Sequence, residues 1–302
     1  MKASTHRHIR YTSPGSIAFD VFNYTLLLLL AAVTLYPILY VLFASFSIPA
    51  EFAAYRGVLL HPLGFTLNAY KLVFKNPNII SGYMNTLFIV VVGTSLNILM
   101  TSLLAYVLSR KNLLWGGMLM GMVVFTMYFQ GGLIPNFLLV KTLGLRESRF
   151  SVILPTLIST MNLIIMRTSF QGIPDSLEES ARIDGASDLR ILLSIILPVS
   201  KAVIAVMVLY YAVSHWNAWF YASLYFSDRS KYPLQVVLRE ILIMNDTGLM
   251  TVDSGSAGGD LAQLSHILRY ATIVVTTAPI LILYPFLQRY FVKGVMIGSL
   301  KG

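Results

Sequence analysis

Residues 79–109 read Ile79-Ile-Ser-Gly-Tyr-Met-Asn-Thr-Leu-Phe-Ile-Val-Val-Val-Gly-Thr-Ser-Leu-Asn-Ile-Leu-Met-Thr-Ser-Leu-Leu-Ala-Tyr-Val-Leu-Ser109, with no Asp, Glu, Lys or Arg. A helix needs about 20 apolar residues to cross the hydrocarbon core of a bilayer, and this stretch exceeds that length. Working outward, the runs Val21–Phe46, Asn112–Val140, Phe150–Met166, Ala202–Ser227 and Tyr270–Gln288 are uncharged in the same sense. Phe150–Met166 is the shortest, and it reaches spanning length through Arg167 to Phe170 if that arginine snorkels to the interface. The pattern predicts an all-α, polytopic membrane protein with six transmembrane helices, residues 1–302 forming one transmembrane domain.

Composition agrees. Only 12% of the 302 residues are charged, about half the roughly 25% of a soluble domain. Cysteine is absent, which excludes disulfides and thiolate metal or redox sites. The net charge of +9 is not arranged as a nucleic-acid surface: the basic residues stand in small groups between apolar runs, with no basic stripe interleaved with aromatics. Lys and Arg retained beside membrane spans account for it, so the lipid bilayer is the expected partner and nucleic acid is not. Tyr24–Leu35 looks like the apolar part of a signal peptide but continues to Phe46 with no small-residue cleavage site. It is expected to be a retained helix, kinked near Pro37.

Six spans place both termini on one side. Lys2, Arg7 and Arg10, the Arg110-Lys111 connection, and Arg289, Lys293 and Lys301 favour the cytoplasm for both. Lys141, Arg146 and Arg149 would then lie outside, against the rule. The outer side would receive residues 47–78 and a loop over 228–269. That loop holds an amphipathic stretch at helical spacing, Leu234, Val237, Leu238, Ile241 and Leu242, followed by the Gly-, Ser- and Asp-rich Asn245–Asp260.

One inner loop, residues 171–198, is longer than a connection requires. It begins Gln171-Gly-Ile-Pro-Asp-Ser-Leu-Glu-Glu-Ser-Ala-Arg-Ile-Asp-Gly-Ala-Ser-Asp-Leu-Arg190. Pro174 suits the first turn of a helix, and Asp175, Glu178 and Glu179 suit its electropositive start. Gly185 can end that helix in a left-handed conformation. Leu189, Leu192, Leu193 and Ile196 then mark one face of a second segment. On physical grounds alone this is a helical hairpin lying across the mouth of the bundle, equally compatible with a plain connector.

The residues of this loop carry a resemblance. Glu179-Ser-Ala181 followed by Asp184-Gly185-Ala186 resembles the EAA loop of ABC-importer membrane subunits, whose core is Glu-Ala-Ala, three residues, then Gly. Ser180 replaces the middle alanine, a small-for-small change. Gln130-Gly-Gly-Leu-Ile-Pro135, Lys141-Thr-Leu-Gly-Leu145, His215-Trp-Asn-Ala-Trp219 and Tyr284-Pro-Phe-Leu-Gln-Arg-Tyr-Phe-Val-Lys-Gly-Val-Met-Ile-Gly298 extend the resemblance to the LplC/YtcP-type branch of carbohydrate permeases. That branch is similar to the second permease of maltose-type and alginate-type importers.

The resemblance implies a type I ABC-importer permease architecture in a prokaryotic plasma membrane. It implies a second, homologous permease, two ATPase subunits, an extracytoplasmic solute-binding protein and an oligosaccharide cargo. Glu178, Glu179, Ser180, Ala181, Asp184, Gly185 and Ala186 would couple to the ATPase. Gly298, Ser299 and Lys301, in a tail whose Val295, Met296, Ile297 and Leu300 are apolar, would add a second ATPase contact.

The chain has no Gly-rich phosphate loop, so no catalytic residue and no bound cofactor are expected, and ATP and Mg belong to the partner ATPase. His-Glu-x-x-His and Gly-x-Ser-x-Gly are missing as well. The rival class is a secondary transporter working without an ATPase. Such proteins often carry ionisable residues within spans for ion coupling, and these runs supply none. Trp216, Asn217, Trp219, Phe220 and Tyr221 cluster near the end of the fifth run. For the group, an aromatic belt at the interface is the simpler reading. Asn217, Trp219 and Tyr221 are the candidates for a sugar path, with Asn217 placed inside. Asn85, Gly93 and Asn97 are expected to serve helix packing, and His215 and His266 to be interfacial rather than metal ligands.

Overall fold

The computed structural model describes residues 14–243 and 264–282. Every regular element among them is helical: α1 (Pro14–Phe46), α2 (Pro49–Ala54), α3 (Asn68–Lys75), α4 (Pro77–Ser109), α5 (Gly116–Tyr128), α6 (Leu133–Thr142), α7 (Phe150–Ile153), α8 (Thr160–Gln171), α9 (Asp175–Ile183), α10 (Asp188–Ile191), α11 (Leu197–Val199), α12 (Lys201–Asn217), α13 (Phe220–Tyr225), α14 (Leu234–Ile243) and α15 (Leu264–Ile282). The helical fold class expected from the uncharged runs is therefore present among the described residues.

Not every run is one straight rod. α1, α4 and α15 are single helices long and apolar enough to cross a membrane. The other three candidates are bent pairs: α5 with α6 at 108°, residues 150–156 with α8 at 51°, and residues 188–199 with α12 at 88°. Two of the breaks have a local cause. Between α5 and α6, Gly132 takes φ +88, a conformation that costs little without a Cβ. Pro155 lies at the second break, where Ser159 restarts the helix by accepting from the Asn162 backbone amide. α1, by contrast, runs through Pro37 as one helix.

The described residues divide into two compact units, 14–70 with 264–274 and 71–243 with 275–282. In the first, α1 exposes Leu28, Leu30 and Val33, as a lipid-facing helix does. Its end is tied by a 2.7 Å hydrogen bond between the Ser45 and Tyr70 hydroxyls and by Phe46 stacked between Phe65 and Tyr70.

The second unit is organised around α4. Its small and polar side chains face α12 and α8, so backbones approach closely and amides bond across helices, the means by which helices associate in lipid. Asn97 donates from Nδ2 to the carbonyls of Thr156 and Leu157 and shares a 2.7 Å hydrogen bond from Oδ1 with His215 Nε2. Thr101 and Tyr211 share another. Gly93 lies under the His215 ring, where an added Cβ would stand 2.6 Å from Nε2. The packing expected of Gly93 and Asn97 is thus realised, whereas Asn85 serves a connection. His215 is a correction: it is buried as the partner of Asn97 and Gly93, not interfacial.

At the start of α4, Asn85 donates to the carbonyls of Ser230 and Tyr232 and accepts from Arg149 Nε. Arg149 also lies over the Phe88 ring, while Arg146 reaches Ser227 and the Phe137 ring. Two of the three basic residues that offended the charge rule, Arg146 and Arg149, are therefore occupied in tying connections together. Leu234–Ile243 is helical, as its spacing predicts, with Leu234, Val237 and Ile241 buried. Asn245–Asp260 and the segment after Ile282 lie outside the described residues.

Candidate functional site

The loop over residues 171–198 forms at the far end of α4 from Asn85, and its local sequence explains its shape. Pro174 stands at the N-cap of α9, with Asp175 and Glu178 in the first turn, where the helix dipole favours acids. α9 ends at Asp184, and Gly185 at φ +77 reverses the chain. The amides of Asp184, Gly185 and Ala186 return to the carbonyls of Ser180, Arg182 and Ala181. These bonds satisfy the last carbonyls of α9. Arg182 closes the elbow on Asp188 at 2.5 Å. The helix, glycine elbow and second helix read from the sequence are all present.

Two cations at the end of α4 hold this hairpin. Arg110 pairs with Glu178, and Lys111 reaches Asp175 at 2.5 Å. The first pair is the sheltered one, with side chains 23% and 10% exposed against 73% and 56% for the second. Arg110 also donates to the Tyr106 carbonyl and the Ser109 hydroxyl and lies over the Tyr106 ring at 4.5 Å. Burial draws its guanidinium below the ordinary value, opposed mainly by Tyr106 and Asp175. Arginine remains charged under such a shift.

α9 consequently has two faces. Glu178 and Ala181 are buried against the body, Ala186 is half-buried, and Glu179, Ser180, Asp184 and Gly185 are exposed. Of the residues read as coupling contacts, Glu178 and Ala181 thus serve to seat the helix. Sequence reading missed Arg110, whose partner is 68 positions away, and Ile183, which is 87% exposed on the outward face. An isoleucine within an acidic helix was the available signal for the second.

The following segment corrects one expectation. Leu189, Leu192, Leu193 and Ile196 do not share a buried face: Leu192 and Ile196 are buried with Ile191, while Leu189 and Leu193 are exposed. Residues 192–196 wind as a π-helix, whose wider turn rotates the following positions relative to an α-helical pattern. α12 then leaves through the 88° bend at Ser200.

At the other end of α12 the aromatic residues separate. Trp216 is buried beside Tyr83, with ring centroids 6.2 Å apart. Asn217 is exposed and not inside this chain. Trp219 lies under the Arg239 guanidinium at 4.0 Å. Tyr221 lines an opening of about 330 Å³ together with Gln130, Asn136 and Tyr225. Gly298, Ser299 and Lys301 fall outside the described residues.

Comparison with known proteins supplies the family. The model for the binding-protein-dependent transport system inner membrane component matches residues 102–297. The polygalacturonan/rhamnogalacturonan transport system permease protein YtcP of Bacillus subtilis is 43% identical over 94% of this chain and 98% of its own. Protein LplC of the same organism is 41% identical over 98% and 99%. Among solved structures, a chain of a bacterial ABC transporter involved in the import of the acidic polysaccharide alginate superposes with a TM-score of 0.84 at 32% identity, covering 93% of this chain and 99% of that one. With its helical fold and its hairpin seated on Arg110 and Lys111, the chain belongs to the family of binding-protein-dependent transport system inner membrane components, the permease subunits of ABC importers.

Proposed function

We propose that this chain is one of two permeases in an ATP-driven importer of oligosaccharides cut from acidic polysaccharides, in the plasma membrane of a prokaryote. The observation that carries the reading is the α9 hairpin. It is pinned by Arg110 and Lys111 yet presents Glu179, Ser180, Ile183 and Asp184 outward. A helix held rigidly from behind and offering acids around one apolar side chain is suited to a cleft on a separate ATPase subunit, with a second ATPase serving a second permease. ATP and Mg act on those subunits, and an extracytoplasmic binding protein delivers the sugar.

In this reading the three straight helices and three bent pairs make six spans. Residues 110–111, the loop over 171–198 and both termini are cytoplasmic, and the loop over 228–269 is extracytoplasmic. The ion pairs between residues 110–111 and α9 support one shared side for those two loops. Gly298, Ser299 and Lys301 add a second, weaker ATPase contact. The acidic cargo rests on the relatives, whose names specify polygalacturonan, rhamnogalacturonan and alginate.

The test is uptake by the assembled complex in proteoliposomes. Uptake should require both ATP and the sugar-loaded binding protein. Uptake driven by an ion gradient in the absence of ATP would replace this reading with a secondary transporter.

A further inference from the structure

The break between α5 and α6 leaves residues 129–132 outside any helix within a run free of charge. Non-helical backbone in a membrane is tolerated where it is covered by protein or lines a polar cavity. A cavity of about 330 Å³ lies at this break, within the lower range of small-ligand sites. Gln130 and Gly131 border it from the break itself, with Asn136 from α6 and Thr126 from α5. Tyr221 and Tyr225 close it from α13, where their four-residue spacing puts both rings on one face, 5.9 Å apart and 18° from parallel. Ser151 stands in the wall, fully buried, and its hydroxyl has no hydrogen-bond partner.

We propose that this cavity is a sugar-contact subsite on the present chain, an inference that rests on the importer reading above. The chemistry is that of a carbohydrate. Two amides and a threonine hydroxyl meet the ring hydroxyls, which both donate and accept, and the exposed face of Tyr221 meets the apolar C–H face of the ring. Arg and Lys do not border the cavity, so it grips the sugar through hydroxyls, not through a carboxylate. An interfacial belt gives no account of Tyr221 facing two amides and a broken span, whereas a path for polar cargo does.

The cysteine-free chain permits a direct test in the whole importer reconstituted in proteoliposomes. The probe is whichever oligosaccharide the wild type takes up fastest from a panel of neutral and uronic fragments. Asn136→Cys and Tyr221→Cys report on the cavity, and Leu138→Cys, exposed on the same α6 but outside the cavity, is the control. Sugar with loaded binding protein and ATP should slow thiol labelling several-fold at positions 136 and 221 and leave 138 unchanged. Tyr221→Ala should raise the half-saturating sugar concentration several-fold, and Tyr221→Trp, which keeps an aromatic face, should restore it. Labelling unaffected by sugar at 136 and 221 in a complex that imports the probe would overturn the subsite and leave the importer standing. A loss of assembled complex with unchanged half-saturation would likewise make the residues structural. Failure of the wild type to take up any member of the panel with ATP would overturn both.

Discussion

Arg110, the first residue beyond α4, donates from its guanidinium to the Glu178 carboxylate in α9, so the long span carrying Asn85 and Asn97 is joined directly to the exposed hairpin. Lys111 repeats the connection at Asp175. A displacement of α9 by a partner would therefore act on α4 through a short polar link, and α4 is the helix against which α8 and α12 pack.

Arg110→Ala and Glu178→Ala each leave a sheltered charge without its partner, which costs about 1–3 kcal/mol. The double variant should be less destabilised than the two single effects combined, because neither charge is then stranded. Thermal unfolding of the purified permease complex measures all three. Additive losses would mean that the two residues act independently.

Gly185 tests the elbow without disturbing packing. Its φ is +77, and a Cβ there would meet nothing within 4 Å. Gly185→Val therefore suffers the backbone penalty alone, roughly 1–3 kcal/mol for a side chain held in this region. Transport should fall while the subunits still co-purify. Gly185→Asn, better tolerated in the left-handed region, should fall less. Equal uptake by Gly185→Val and wild type would deny the elbow a part in coupling.

These positions also show what the sequence made legible. Spans announce themselves through a property each residue carries alone, the absence of charge, so the helical membrane fold could be read along the chain. Pro174 and Gly185 act on their own backbone, and their turns could be read in the same way. What escaped depends on partners distant in sequence. Arg110 looked like an ordinary positive residue at a membrane edge until Glu178 was placed beside it. His215 looked interfacial because nothing nearby reveals that Gly93 and Asn97, over a hundred positions earlier, make a slot for it. Leu189 and Leu193, four apart, lie together on the exposed side, and Leu192 and Ile196 on the buried one, a choice of face that depends on the packing partner and not on the apolar pattern.

The Gly93 slot gives a packing prediction. Gly93→Ala would force a methyl group to 2.6 Å from His215 Nε2 and 3.0 Å from its ring carbons. Overpacking of this kind costs about 1–3 kcal/mol, and moving the ring also breaks its bond to Asn97. The yield of folded complex should drop, and shrinking the neighbour in Gly93→Ala with His215→Ala should recover part of it. A fully stable Gly93→Ala single variant would show that α4 and α12 have slack at this point.

Glu147 yields a pH dependence. Its carboxylate accepts from the backbone amides of Ser227 at 2.6 Å and Asp228 at 3.4 Å, with Lys231 at 3.9 Å. The Ser227 bond is the main cause that holds its pKa below the usual glutamate value. A depressed pKa contributes stability at pH values above the unfolded-state pKa, and the contribution is lost as pH falls through the lower folded-state value. The difference in melting temperature between wild type and Glu147→Gln should therefore be full at neutral pH and vanish only below about pH 4. A difference that disappeared between pH 8 and pH 6, well above the carboxylate range, would assign the effect to another group.

Ile183 makes the sharpest demand on the proposed ATPase contact. It is 87% exposed and is followed at once by the exposed Asp184 and Gly185. A lone aliphatic side chain at a protein surface is unremarkable by itself. This one, however, projects from the last turn of a helix held from behind by Arg110 and Lys111, which is where an anchor for a pocket on a partner would stand. Ile183→Asp adds a charge to the outward face while leaving the buried contacts of Glu178 and Ala181 untouched, so the permease should fold and reach the membrane as before. Its recovery with the ATPase subunits on affinity purification should drop at least tenfold, since stranding a charge in an apolar pocket costs more than the roughly 1.4 kcal/mol that a factor of ten requires. Ile183→Leu, which preserves size and apolarity, should retain most of the binding. Full recovery of the ATPase with Ile183→Asp would show that the outward face of α9 does not dock there, and the coupling role of the hairpin would then have to be sought elsewhere on the loop.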